Sequence, residues 1–203
     1  MSAMGTVVAA RMTFEEFERL PDGPEDLELL EGELVEMPPP ERSHMKDTKH
    51  LFKLLDAAVE DRRMKQTEAL GEVFMEMGYL LTSDPRSWLR PDVSITHANQ
   101  PGGKYYEGAP LMVFDVVSGE DRATKLIQKV RLFLRHGAQE VWLIYPVTRD
   151  AYIYKAGMAA VVHEEQAIHS DLLPGIQIPF DQFLWKPGTD GTLPEAFLRG
   201  PRV

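Results

Sequence analysis

A chain of 203 residues with 43% apolar and 27% charged side chains has the size and composition of one globular domain with a sizeable core. The absence of cysteine excludes disulfides, a thiolate nucleophile and any zinc site of the cysteine type. A formal net charge of −10 weighs against coating nucleic acid through bulk electrostatics, but not against meeting it in a metal-loaded cleft, where bound cations reverse the local sign.

The longest apolar runs are about strand length, too short to span a bilayer. The start, "MSAMGTVVAARM", lacks the basic stretch and long apolar core of a secretion signal, so a cytoplasmic protein is expected. We divide the chain into an N-terminal extension (1–12), one folded domain (13–185) and a Pro/Gly-rich tail (186–203).

In chain order, "TFEEFERL" pairs Thr13 with Glu16 three residues on, a capping box that predicts a short helix. "LELLEGELVEMPPP" reads as a hairpin turning at Glu31-Gly32 and stopped by its prolines. Met45, Leu51, Leu54, Leu55 and Ala58 then recur at helical spacing, giving a long amphipathic helix with Ser43 as its expected cap. "GEVFMEMGYLLT" reads as one or two strands, and "RPDVSITH" as a short strand introduced by Pro91.

"APLMVFDVVS" is the most apolar strand and is expected at the centre of a sheet. Leu126, Val130, Phe133 and Leu134 form the core stripe of a following helix closed by Gly137, and "EVWLIYP" is a second buried strand. This strand–helix–strand unit, 111–146, is long enough for a parallel crossover. A hairpin around Gly157 and the segment "LPGIQIPFDQFL" complete the domain. The expected class is α/β (α+β): a mixed sheet with helices packed on it.

Asp115 stands inside the most apolar strand, between Phe114 and Val116. An ionised carboxylate without a partner costs several kcal/mol to bury, so Asp115 faces water or meets something positive. Asp92 opens the preceding strand, and if the two strands are neighbours both carboxylates reach one pocket. Hard oxygen ligands of this kind suit magnesium or manganese. Lys125 and Lys129 lie one turn apart on the following helix. Two acids and a lysine beside a divalent ion are the parts for phosphodiester hydrolysis. The plainer alternatives are a strand-start Asp92, an Asp115–Lys129 bridge that serves stability, and a lysine whose stem covers apolar surface.

Taken together, "LELLEGELVEMPPPERSH", "RPDVSI", "MVFDVVS" and "KVRLFLRHGAQEVWLIYP" resemble the bacterial family known as putative restriction endonuclease-like, within the PD-(D/E)-XK nuclease superfamily, from about Thr13 to Phe183. The resemblance implies a restriction endonuclease-like fold, a central mixed β-sheet flanked by α-helices. It also implies a magnesium- or manganese-dependent hydrolase acting on DNA, and a homodimer. By position it assigns Asp92 and Asp115 as catalytic metal ligands, Glu28 as a further catalytic acid and metal or water ligand (the plainer alternative being an outward strand residue), His44 as a catalytic residue reaching the phosphate or a metal-bound water (the plainer alternative being a helix-start residue that hydrogen bonds locally), and Lys129 as the catalytic lysine. Two positions depart from the family pattern: aspartate stands at 115 where glutamate is usual, and Lys125 stands where an acid is expected. Those departures favour the alternative of a catalytically decayed nuclease-fold module that only binds nucleic acid or protein.

Further features have two readings each. Lys46, Lys49, His50 and Lys53 share one helix face, which either tracks a phosphate backbone or is simply solvated. Tyr105 and Tyr106, in the glycine-containing loop 100–108, either stack on a base or pack on a partner subunit.

Overall fold

The computed structural model describes residues 11–21, 26–64, 70–82, 85–119, 121–163, 167–173, 177–179 and 184. The tail 186–203 and most of the N-terminal extension lie outside the described residues, so neither boundary is tested. Among the described residues no helix is long and apolar enough to cross a membrane.

The capping box forms as the sequence predicts. The Glu16 amide donates to Thr13 Oγ1 at 3.2 Å, and the Thr13 amide donates back to Glu16 Oε2 at 2.8 Å. The resulting helix α1 (Phe14–Phe17) buries Phe14 and Phe17 against Leu29 and Trp88. Strands β1 (Leu27–Leu30) and β2 (Glu33–Glu36) pair antiparallel. Their connection holds Glu31 at φ 50° and Gly32 at φ 82°, the left-handed pair that a tight hairpin requires. A Cβ on Gly32 would also lie 2.7 Å from Arg11 Cβ, so glycine serves both backbone angle and close approach.

The long helix α2 (Arg42–Met64) starts one residue earlier than the expected cap. Its first turn closes with the Met45 amide on the Glu41 carbonyl at 3.0 Å. Ser43 is therefore inside the helix, and its hydroxyl donates to Glu41 Oε2 at 3.4 Å.

"GEVFMEMGYLLT" resolves into two strands, β3 (Leu70–Met75) and β4 (Tyr79–Leu81), which belong to different sheets. Glu76 at φ 49° begins the break between them. A short strand that the sequence reading missed, β5 (Ser87–Leu89), precedes β6 (Val93–His97). Then come β7 (Tyr106–Glu107), β8 (Met112–Val116), α3 (Ala123–Arg135), β9 (Glu140–Tyr145), β10 (Asp150–Lys155) and β11 (Met158–His163). A small pair, β12 (Ala167–His169) and β13 (Gln177–Pro179), closes the described chain.

The central sheet has six strands in the order β11-β10-β9-β8-β6-β3, and a second sheet of five runs β2-β1-β5-β4-β7. Both are mixed: β8 pairs parallel with β9 through the α3 crossover, and β4 pairs parallel with β7. Alternation along β8 sends Met112, Phe114 and Val116 into the cluster that holds Leu51, Leu54, Leu55 and Val59 of α2. Val113 joins the opposite cluster, with Leu126, Val130 and Phe133 of α3 and with Leu30, Tyr79 and Leu89 of the second sheet. The central sheet therefore has α2 on one face, and α3 with the second sheet on the other. Asp115 shares the alternation of Val113 and so points toward α3.

Candidate active site

Strand β6 runs antiparallel to β8, with Val93 opposite Phe114, which brings Asp92 and Asp115 side by side where the two strands meet. The Asp92 amide donates to Asp115 Oδ1 at 3.3 Å, and the Val116 amide donates to Asp92 Oδ2 at 2.6 Å. The sequence-level condition that these strands be neighbours is met, and the carboxylates are held by the backbone ladder itself. Strands thus position the acids more rigidly than loops would.

Helix α3 brings Lys129 over the same face. Its Nζ donates to Glu28 Oε1 at 3.1 Å and lies 3.6 Å from Asp115 Oδ2. All three side chains are buried: Lys129 is 10% exposed, Glu28 1% and Asp115 9%. Glu28 points inward beside Leu30 on β1, and its Oε1 also accepts the Arg90 amide at 2.9 Å. From the first turn of α2, His44 Nε2 reaches Asp92 Oδ1 at 3.1 Å. A continuous polar chain results, from His44 through Asp92 and Asp115 to Lys129 and Glu28.

The structure brings all five sequence-predicted residues together, but not into one wall. Asp92, Asp115, Lys129 and His44 line a cleft of about 1050 Å³, whereas Glu28 does not reach it. The buried Asp115–Lys129 bridge considered from the sequence is present, so the pair has a structural part whatever else it does. Lys125 is turned to Glu33 of β2, at 2.5 Å, outside the cleft lining, which leaves Lys129 as the lysine beside the acids. Asp47, Glu76 and Asp121 also line the cleft and were not singled out from sequence. They come from α2, from the β3–β4 connection and from the segment before α3, so no local motif connects them.

Electrostatics follow from three carboxylates sharing one ammonium. Burial pushes the Asp115 carboxyl up to about 6, with Lys129 opposing and Asp92 and Glu28 adding to the rise. Burial also pulls on the Lys129 ammonium, but Asp115, Glu28 and Asp92 more than offset it and hold it above the usual lysine range. His44 is raised above 6.5 chiefly by its hydrogen bond to Asp92. The stability that this pair adds is complete below about pH 6.5 and is lost as pH rises through the folded value.

The sign for Asp115 has a measurable result. Its folded value of about 6 lies above the ordinary 3.8, so the folded protein holds this proton more tightly than the unfolded chain does. Its contribution to stability therefore falls as pH rises from about 3.8 to about 6. Asp115→Asn removes that slope. Unfolding in EDTA at pH 4, 5 and 7 is expected to show the variant gaining on the native protein across the window. A constant difference would mean that burial does not perturb Asp115.

Two features bear on metal binding. Asp115 Oδ2 is buried with no hydrogen-bond partner, an acceptor left over beside Asp92. No three histidine or acidic side chains among the described residues converge as a ready-made metal cage. Magnesium is commonly held by one or two carboxylates and completes its shell with water and substrate oxygens, so this donor set fits a hard divalent ion.

The aromatic loop packs within its own chain. Tyr106 stacks on Tyr79 with ring centroids 5.8 Å apart, and Tyr105 sits edge-on to Trp88 at 5.4 Å. Both rings are half-buried and engaged within the chain on one side. Along the α2 face of basic residues, Lys49 and Lys53 are exposed, while Lys46 and His50 are half-buried.

A mixed sheet with two acids on neighbouring central strands and a lysine from the crossover helix defines a protein of the restriction endonuclease-like class. The chain belongs to the Uma2 family, described as "Putative restriction endonuclease", whose model matches residues 14–181. A crystal structure described as "a putative nuclease belonging to DUF820", from Anabaena variabilis, has the same fold. It superposes with a TM-score of 0.73 over 85% of this chain and 97% of that one, at 18% identity. No curated protein matches the sequence.

Proposed function

We propose that the protein is a cytoplasmic, metal-dependent endonuclease that hydrolyses phosphodiester bonds of DNA. The observation that carries the reading is the meeting of Asp92 and Asp115 at the floor of a cleft with the Lys129 ammonium 3.6 Å from Asp115. Asp92 and Asp115 are the residues that would hold the ion, Mg²⁺ or Mn²⁺. Its chemistry there is Lewis-acid activation of water and neutralisation of phosphate charge.

The chain's own groups do the rest. Lys129, buried and charged, offers its ammonium to the attacking water or to the oxyanion that develops on phosphorus. His44, in the first turn of α2, holds Asp92 Oδ1 through its Nε2 at 3.1 Å and so orients that carboxylate at the cleft wall. The many carboxylates of the lining repel a bare phosphate backbone, so binding of DNA is itself expected to depend on the divalent ion.

Incubating supercoiled and linear DNA, and RNA, with the protein in Mg²⁺, Mn²⁺ or EDTA tests the proposal. Cleavage of DNA in the metal buffers and none in EDTA is the expected result. DNA binding without cleavage in any metal would replace it with the decayed, binding-only module. The homodimer implied by the family resemblance is part of the proposal, and sedimentation equilibrium checks it.

A further inference from the structure

Glu28 is placed unlike the other two acids. It is 1% exposed and absent from the cleft lining, and a single oxygen, Oε1, takes both the Arg90 amide and the Lys129 ammonium. The ammonium is within hydrogen-bond distance of Glu28, at 3.1 Å, but not of Asp115, at 3.6 Å. Asp115 Oδ2 is correspondingly left without a hydrogen bond.

A lysine stem has four rotatable carbons, and an ammonium beside a single buried carboxylate closes onto it as a tight pair. Here a second carboxylate, fixed by the backbone of residue 90, draws Nζ the other way. We infer that Glu28 is a positioning residue: it holds the Lys129 ammonium back from Asp115, so that Asp115 Oδ2 is left unpaired for a cation while Lys129 stays in the cleft lining. This differs from the metal-ligand role that the family resemblance implies for Glu28, and it rests on the nuclease reading of the same site.

The test is a double-mutant cycle of Glu28→Gln and Lys129→Met, read by Mn²⁺ calorimetry, together with the ¹H–¹⁵N resonance of the Lys129 ammonium in metal-free protein. Glutamine keeps an acceptor for the Arg90 amide but removes the charge that opposes Asp115. The Lys129 ammonium signal is expected to shift in Glu28→Gln, and turnover to fall about 10- to 100-fold with KM little changed.

In the Lys129→Met background, Glu28→Gln is expected to leave the Mn²⁺ affinity unchanged within about twofold, because the residue acts only through the lysine. A loss of about 10- to 100-fold in that background would make Glu28 a ligand and overturn the inference. An unmoved Lys129 resonance in Glu28→Gln would overturn it as well. If the native protein takes up no Mn²⁺ and cuts no nucleic acid, the nuclease reading fails, while the ammonium resonance still decides whether Glu28 positions the lysine.

Discussion

Lys129→Met is expected to destabilise the protein by about 3–5 kcal/mol near neutral pH, because it leaves buried carboxylates without their cation. Glu28 and Asp115 are 1% and 6% exposed, so neither can recover the loss by turning to water. For a chain of 203 residues this corresponds to a fall in Tm on the order of 10 °C. The effect has a definite pH signature. Once the ammonium is gone, nothing opposes the burial that already pushes the Asp115 carboxyl up to about 6, so the folded state holds that proton more tightly still. The deficit is therefore smallest in acid, where Asp115 is neutral in either state, and grows as pH rises. Adding Glu28→Gln to Lys129→Met removes one of the stranded charges and should restore part of the loss. Thermal melts of the native protein and both variants at pH 5 and pH 8 check this. A deficit that does not change with pH would mean that Lys129 contributes through packing and not through charge.

What the sequence disclosed, and what it withheld, follows the range of the interactions. The capping box at Thr13, the Glu31-Gly32 turn, the α3 stripe and the parallel crossover are encoded within a few residues or by a plain periodicity, and each forms as expected. The conflict at Asp115 was legible, an acid inside an apolar run that must face water or meet a cation, and the structure gives it Lys129. Ser43 lies inside its helix because Glu41, two residues earlier, provides the first helical carbonyl, a difference that composition does not mark.

The division into two sheets was not legible. Leu70–Met75 and Tyr79–Leu81 look like one run broken by a turn, and β5 has only three residues before Arg90-Pro91 interrupts it. Nor could the sequence say that Glu28 stands behind Lys129, since that depends on how the β1 hairpin packs on α3, residues about a hundred positions apart.

Asp92→Asn separates the metal from the fold more cleanly than any other substitution. An asparagine oxygen can still accept the Val116 amide that Asp92 Oδ2 now takes at 2.6 Å, and the Asp92 amide still reaches Asp115. At a pH where His44 has lost its proton, and with it the pairing to Asp92, stability in EDTA should therefore stay within a few degrees of native, whereas Asp92→Ala strands the Val116 amide and costs about 1–3 kcal/mol. The asparagine removes one of the two carboxylates proposed to hold the ion. A native protein saturated to about a hundred times Kd gains about 2.7 kcal/mol from the ion, and that gain should vanish in Asp92→Asn. Cleavage should fall by at least about 10²–10³-fold with it, as it does when charge at a transition state loses its stabilising group. Melts in EDTA, Mg²⁺ and Mn²⁺, run beside a cleavage assay, read both effects on one sample. A metal-dependent rise in Tm that survives in Asp92→Asn would place the ion elsewhere, and the role proposed for the Asp92–Asp115 pair would fall with it. Loss of both the rise and the cleavage, with an unchanged melt in EDTA, would tie the chemistry to a carboxylate that the fold does not otherwise need to be charged.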